Sequence, residues 1–235
     1  MIWLTVSKAC SEISVSILTR NLIRDRMAAK LEDRLVVTPL LSERQIGDAS
    51  IDVRLGNEFI WLTRTATGSH NYIVAPESSL LQTYQTLRRE FGNPLFLHPN
   101  QLVLGATMEF VGLPSDLSCY VIGRSSLGRT GLVIATATAV APGFKGCITL
   151  EIVNLGEVPM PLYPGMRIAQ LVLHETVGSS RYSGTFQCAT GPEAPLLSRD
   201  KEMGIWAPSD KPGIGKTRGK GKRAKKSREE GQGRL

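Results

Sequence analysis

The spacing of hydrophobic positions changes along this 235-residue chain, and the changes mark its elements. Near the start, Ile23, Met27 and Leu31 recur every four residues. That spacing predicts a helix with Thr19 as N-cap, packed on the core by one face. Gly47–Gly56 reads as a turn entering a short strand, and Glu58–Thr63 as a second strand. In Ser78–Phe91 the residues Leu80, Leu81, Tyr84, Leu87 and Phe91 fall at helical spacing, with Ser78 or Ser79 able to cap, so another helix is expected there. From residue 94 the period becomes two. Leu102, Leu104, Ala106, Met108 and Phe110 share one face of a predicted strand, with Val103, Thr107 and Glu109 on the other.

Short apolar runs follow at Ser118–Ile122, Leu132–Val140, Gly146–Asn154 and Ile168–His174. Turn residues separate them: Gly112-Leu-Pro, Pro142-Gly143, Leu155-Gly-Glu and Pro164-Gly165. Many short strands with few helices predict a mainly β domain, a β-barrel or a double-sheet jelly roll. No internal repeat is visible. After about Pro208 hydrophobic residues nearly vanish, so this stretch cannot bury enough apolar area to offset its ordering entropy and is expected to be a disordered tail.

Composition sharpens the outline. Hydrophobic residues make up 42% of the chain, and no segment nears the roughly 18 uninterrupted apolar residues of a membrane span. Residues 1–16 lack a basic start, and Lys8 and Glu12 interrupt their apolar run, so they read as an extension and not an export signal. The net charge is +7, and residues 201–235 alone carry 11 Lys+Arg against 4 Asp+Glu. The first 200 residues are therefore neutral. Cys10, Cys119, Cys147 and Cys188 are scattered, as are His70, His98 and His174, which argues against a zinc site and against a disulfide framework. A reducing cytoplasm fits that pattern.

Two stretches carry candidate chemistry. Residues 123–132, Gly-Arg-Ser-Ser-Leu-Gly-Arg-Thr-Gly-Leu, place the forked cations Arg124 and Arg129 beside the hydroxyls of Ser125 and Ser126. Such a group suits a phosphate-bearing ligand, and glycine lets backbone approach it; an ordinary basic turn has the same composition. In Ile148–Asn154, the residues Ile148, Leu150 and Ile152 point one way and Thr149, Glu151 and Val153 the other. Glu151 then either sits on a solvated sheet face or lines a cleft, where partial desolvation suits a carboxylate to proton shuttling. Between them, the run from Ala135 to Gly146 is rich in small residues. It either packs tightly in a barrel or leaves room beside the backbone for a flat ligand.

Taken in order, these pieces resemble the dCTP deaminase family of the trimeric dUTPase-like superfamily. The matching stretches are Gly47–Gly56, Phe96-Leu-His-Pro99, Thr107-Met-Glu109, Leu113-Pro114 and Gly123–Leu132. They continue with Thr136-Ala137, Pro142–Glu151 and Pro164-Gly-Met-x-Ile-x-Gln170. The resemblance spans roughly residues 17–200, between the extension 1–16 and a basic tail at 208–235. It implies a dUTPase-like distorted β-barrel or jelly roll with a few short helices. The implied activity is hydrolytic, zinc-independent deamination of dCTP to dUTP and ammonia in pyrimidine deoxynucleotide metabolism. The sequence indeed lacks the His-x-Glu and Pro-Cys-x-x-Cys pattern of zinc deaminases.

By the same resemblance, Glu151 is the proton shuttle, and Ser125 with the backbone carbonyl of Ala137 holds the water. Arg129 stabilises charge near the exocyclic amine. Arg124, Ser126, Thr136, Tyr182 and Gln170 contribute to substrate binding. Mg²⁺ arrives bound through the triphosphate, and sites form between the subunits of a homotrimer. The chain departs from the pattern in three places. Ala141 stands where an acid is usual and Ile134 where a histidine is usual, and Thr185–Ala189 lacks a phosphate-gripping lysine. Loss of that contact costs about 1.5–3 kcal/mol, roughly tenfold to a hundredfold in affinity. Ala141 argues against a dUTPase-like diphosphohydrolase, and Arg124, Ser125, Arg129 and Glu151 together against a non-catalytic, regulatory nucleotide-binding trimer. Nine basic residues in Lys211–Arg228, with no aromatics among them, suit either a solubilising tail or weak non-specific contact with nucleic acid.

Overall fold

A computed structural model of the chain describes residues 16–62, 84–136 and 139–195, together with 202 and 205. Apart from Ser16, the extension lies outside these residues, as does the basic tail. The first helix among the described residues is α1 (Arg20–Ala28), and fourteen strands follow. These are β1 (Val36–Thr38), β2 (Ile51–Arg54), β3 (Glu58–Leu62), β4 (Tyr84–Arg88), β5 (Leu95–Leu97), β6 (Leu102–Ala106) and β7 (Phe110–Gly112), then β8 (Leu117–Gly123), β9 (Leu132–Ile134), β10 (Ala139–Val140), β11 (Lys145–Gly146), β12 (Thr149–Asn154), β13 (Met160–Leu162) and β14 (Arg167–Glu175). A five-stranded sheet runs β4-β3-β6-β12-β9 and a four-stranded sheet β10-β8-β14-β2, with smaller sheets β1-β7-β11 and β13-β5. Among these strands every pairing is antiparallel.

Alternation builds the core. In β12 the inward Leu150 and Ile152 are fully buried while Thr149, Glu151 and Val153 are half-buried on the opposite face. β8 alternates in the same way, burying Leu117, Cys119 and Val121. Phe59, Leu97, Ile168 and Leu171 close the same hydrophobic cluster. Each such aliphatic or aromatic side chain contributes roughly 1.5–3 kcal/mol by leaving water. No helix among the described residues is long and apolar enough to cross a membrane.

Several expectations need correction. Tyr84–Arg88 is a strand and not part of a helix over Ser78–Phe91. It pairs residue by residue with β3, Leu87 opposite the buried Phe59; residues 78–83 lie outside the described ones. The first helix occupies Arg20–Ala28 with Thr19 at its N-cap position, but it fully buries only Ile23, and Leu31 lies past its end and is exposed. The predicted strand through Leu102–Phe110 breaks at Thr107–Glu109. There the buried Thr107 hydroxyl donates to the Glu109 carbonyl (2.8 Å) and accepts from Ile148 N–H (2.9 Å). Glu109 itself is fully buried, its carboxylate accepting from Gln45 Nε2 and Arg54 N–H, each at 2.8 Å. Burial raises its pKa above the ordinary carboxylate range, although these donors pull the other way.

One glycine is demanded by the backbone. Gly131, just after the Arg/Ser turn, has φ +89°, and a Cβ there would lie 2.5 Å from the Gly156 nitrogen. Its carbonyl also accepts from Leu155 N–H at 2.8 Å, which ties the turn to the loop after β12. Gly131→Ala is expected to lower stability by about 2–5 kcal/mol, combining left-handed strain with a backbone clash, as read by urea unfolding.

Candidate active site

A cavity of about 670 Å³ opens on the half-buried face of the five-stranded sheet. Its floor is Leu102 and Leu104 of β6 with Thr149 and Glu151 of β12. Val140, Ala141 and Phe144 make one wall, while Tyr182, Phe186 and the residues Glu193–Pro195 lie across it. The lining is largely apolar, and Glu151 stands opposite Leu104 in the ladder. Its Oε2 is buried and has no hydrogen-bond partner among the described residues. A buried carboxylate oxygen without a donor is rare in folded proteins and marks a place that a ligand or water completes. Of the two sequence readings of Glu151, the cleft holds.

Thr136, buried and lining the cavity, accepts the Glu151 backbone N–H on Oγ1 at 3.0 Å. This bond joins the end of β9 to β12 beside the acid. Tyr182 sits edge-on to Phe144, ring centroids 5.8 Å apart, and its N–H donates to the Pro142 carbonyl. Gln187 holds the covering segment down, accepting from Lys145 N–H and donating to the Gly143 carbonyl, each at 3.0 Å. Cys147 also borders the cavity. Burial and then the nearby Glu109 carboxylate raise its pKa, which disfavours the thiolate. Ala137 lies outside the described residues.

The other expected residues gather elsewhere. Ser125–Gly128 forms a single helical turn following Arg124, with Ser125, Ser126 and Arg129 exposed. None of these side chains lines the cavity of Glu151. The ladder explains why. Leu132, just after the turn, pairs with Asn154, three positions along β12 from Glu151, which is about 10 Å of strand. Gln170 does not reach the cavity either; its Nε2 donates to Asp52 Oδ1 at 2.9 Å and to Ser50 Oγ at 3.3 Å. Arg124 Nη2 lies 3.7 Å from Asp52 Oδ2, and Arg167 Nη1 donates to that same oxygen at 2.9 Å.

Within one protomer, then, Glu151, Thr136 and Tyr182 come together, and Arg124 and Gln170 come together around Asp52. The two groups do not share a cavity. Sequence reasoning passed over Asp52 and Arg167. The signal for Asp52 was present, since an acid between Ile51 and Val53 interrupts an apolar strand just as Glu151 does.

The comparisons with known proteins agree with this architecture. Residues 17–176 match the dCTP deaminase-like family. A protein of Dictyoglomus thermophilum described as a dCTP deaminase, dUMP-forming, is 40% identical over 177 residues, covering 72% of this chain and 90% of its own. One of Halorubrum lacusprofundi described as a dCTP deaminase is 41% identical over 190 residues, covering 77% and 91%. Among solved structures, the 2′-deoxycytidine 5′-triphosphate deaminase from Agrobacterium tumefaciens superposes with a TM-score of 0.53 at 21% identity. That match covers 68% of this chain and 48% of the other, so the chain spans about half that structure's length, and the likeness is one of fold. The class is therefore a mainly β fold shared with that deaminase, with Glu151 carrying a buried carboxylate oxygen into a largely apolar cavity. Within that class, the chain belongs to the dCTP deaminase-like family.

Proposed function

We propose that the chain is a hydrolase that deaminates dCTP, converting dCTP and water to dUTP and ammonia, with Glu151 as proton shuttle. The observation that carries this is the buried, unpartnered Oε2 of Glu151 at the wall of a cavity large enough for a nucleoside. The carboxylate accepts a proton from a water as the oxygen adds to C4. It delivers that proton to N3, then carries the C4 hydroxyl proton to the exocyclic amine, so that ammonia leaves as the C4 carbonyl forms. Ser125 and the Ala137 carbonyl hold the water, and Arg129 stabilises charge near the departing amine. Arg124, Ser126 and Gln170 serve the anchoring of the nucleotide, with Thr136 and Tyr182 beside base and sugar.

The chain acts as a homotrimer in the cytoplasm, each site taking its Arg/Ser turn from one subunit and Glu151 from a neighbour. The separation of these groups within one protomer supports this reading. The catalytic domain is taken as residues 17–200, and the tail 208–235 adds at most weak contact with nucleic acid. Mg²⁺ enters as part of the substrate. Phosphate oxygens and water supply its ligands.

Ala141 at the cavity wall supplies no carboxylate for a second hydrolysis, which supports dUTP as the product and not dUMP with pyrophosphate. The test is direct. Purified protein with dCTP and Mg²⁺ should release one ammonia per dCTP consumed and no pyrophosphate. Pyrophosphate from added dUTP without ammonia from dCTP would favour the diphosphohydrolase alternative. Ammonia together with pyrophosphate from dCTP would make the product dUMP, and binding of dCTP without ammonia would favour a regulatory nucleotide-binding trimer.

A further inference from the structure

Among the described residues, Asp52 is the most enclosed ion-pairing carboxylate outside the Glu151 cavity, 7% exposed and fixed on β2 directly opposite Gln170 of β14. Its two oxygens do different work. Oδ1 accepts from Gln170 Nε2 at 2.9 Å, and Oδ2 accepts from Arg167 Nη1 at 2.9 Å. Both are ordinary hydrogen-bond lengths, so Gln170 and Arg167 lock the carboxylate in one orientation. Arg124 is held otherwise. Its Nη2 stands 3.7 Å from Oδ2, close enough for attraction and too far for a hydrogen bond.

Two consequences follow. The Arg124 guanidinium is drawn toward a fixed anion while its N–H donors stay uncommitted among the described residues, free for a second anion. Two guanidinium groups also share one carboxylate, so the cluster keeps a surplus positive charge. An ordinary sheet staple needs neither property, since Arg167 and Gln170 already satisfy Asp52. Arg124 is also the residue that leads into the helical turn of Ser125 and Ser126, so holding its side chain steers the start of that turn.

We infer that Asp52 is a positioning residue that acts through Arg124, holding its guanidinium where the polyphosphate of the nucleotide docks. This rests on the reading of Arg124 as a nucleotide-anchoring residue, and it extends that reading to Asp52, Arg167 and Gln170 as the bracket behind it.

A double-mutant cycle on the full-length protein tests it, with binding of dCTP and of sodium tripolyphosphate measured by calorimetry. Arg124→Gln should weaken both ligands about thirtyfold, the scale of a lost charge-assisted contact, and Asp52→Asn about tenfold. The double variant should be no weaker than Arg124→Gln alone, because Asp52 has nothing left to act through. In turnover the Asp52→Asn change should appear as raised KM with kcat within about threefold, a split that plain loss of stability does not produce. If Asp52→Asn fails to fold, Asp52→Ser replaces it; serine puts no amide donor against Arg167.

Losses that multiply in the double variant would make Asp52 a sheet staple independent of Arg124, and the inference falls. It falls too if Asp52→Asn binds both ligands as the wild type does while Arg124→Gln does not. If Arg124→Gln leaves both affinities unchanged, the anchoring role of Arg124 fails first and the inference goes with it. Ammonia release by the unaltered protein reports separately on the deaminase reading, since tripolyphosphate binding needs no turnover.

Discussion

Glu151→Gln is expected to cut ammonia release from dCTP by about 10²- to 10⁴-fold, the range for removal of a general acid–base group, with the Kd for dCTP within about threefold. The substitution keeps size and shape, but an amide cannot accept the proton that water must lose as it adds to C4. The local frame should survive, because its supports are main-chain groups. Thr136 Oγ1 accepts from the Glu151 N–H, and the Glu151 carbonyl accepts from Ala135 N–H at 2.8 Å. Oε2 has no partner to lose. Unfolding by urea should therefore show no loss of stability, and relief from burying an unsatisfied carboxylate favours a small gain. Activity lost at unchanged affinity and stability separates a catalytic acid from a structural one. Activity kept within tenfold would remove Glu151 from the reaction.

Much of the fold could be read from alternation, and the failures have physical causes. β8 buries every second residue from Leu117 to Val121, β12 does so throughout and β14 from Ala169 to Leu173, all against one core, so their pattern survives in the sequence. Tyr84–Arg88 misled because apolar residues at spacings of three and four can also arise where a short strand runs into loops. Its state is decided by partners over twenty residues away in β3, where Phe59 meets Leu87 and Ile60 meets Thr86. No local window contains that pairing. The break at Thr107–Glu109 was hidden for a different reason. Alternation across it is nearly perfect, yet Thr107 and Glu109 find side-chain and backbone partners from β2, the Gln45 turn and Ile148 that free them from the ladder.

The site was legible where one residue breaks its own surroundings. Glu151 stands out because a charge interrupts an apolar strand, and the structure puts it among the residues that line the cavity. Asp52 carries the same signature but lies two residues before Arg54 on the same strand, so it reads locally as half of an ordinary charged pair. Only the register of β2 against β14 turns it instead toward Gln170 and Arg167. Arg124, Ser125, Ser126 and Arg129 were conspicuous by composition. Their distance from Glu151 within the protomer depends on which strands they join, which a linear motif does not encode.

That distance has a consequence with a large expected signal. Arg129→Gln and Glu151→Gln should each be nearly inactive alone, yet co-assembled subunits of the two should recover activity on the order of a quarter of wild type. If each site draws the turn from one chain and the acid from the next, a random mixture completes a site only when the turn comes from an acid-variant chain and the acid from a turn-variant chain. Each condition is met half the time. The structure motivates the test because Arg129 is exposed on a turn that does not line the Glu151 cavity, while Ile134 and Ile152 pair to keep that turn three positions along the strand from the acid. Light scattering should give a mass three times that of the 25.6 kDa chain for each variant and for the mixture. Co-assembly with no recovered ammonia release would mean that turn and acid serve the same site from one chain. The approach of Arg129 to Glu151 would then have to come from movement within the protomer and not from a neighbour.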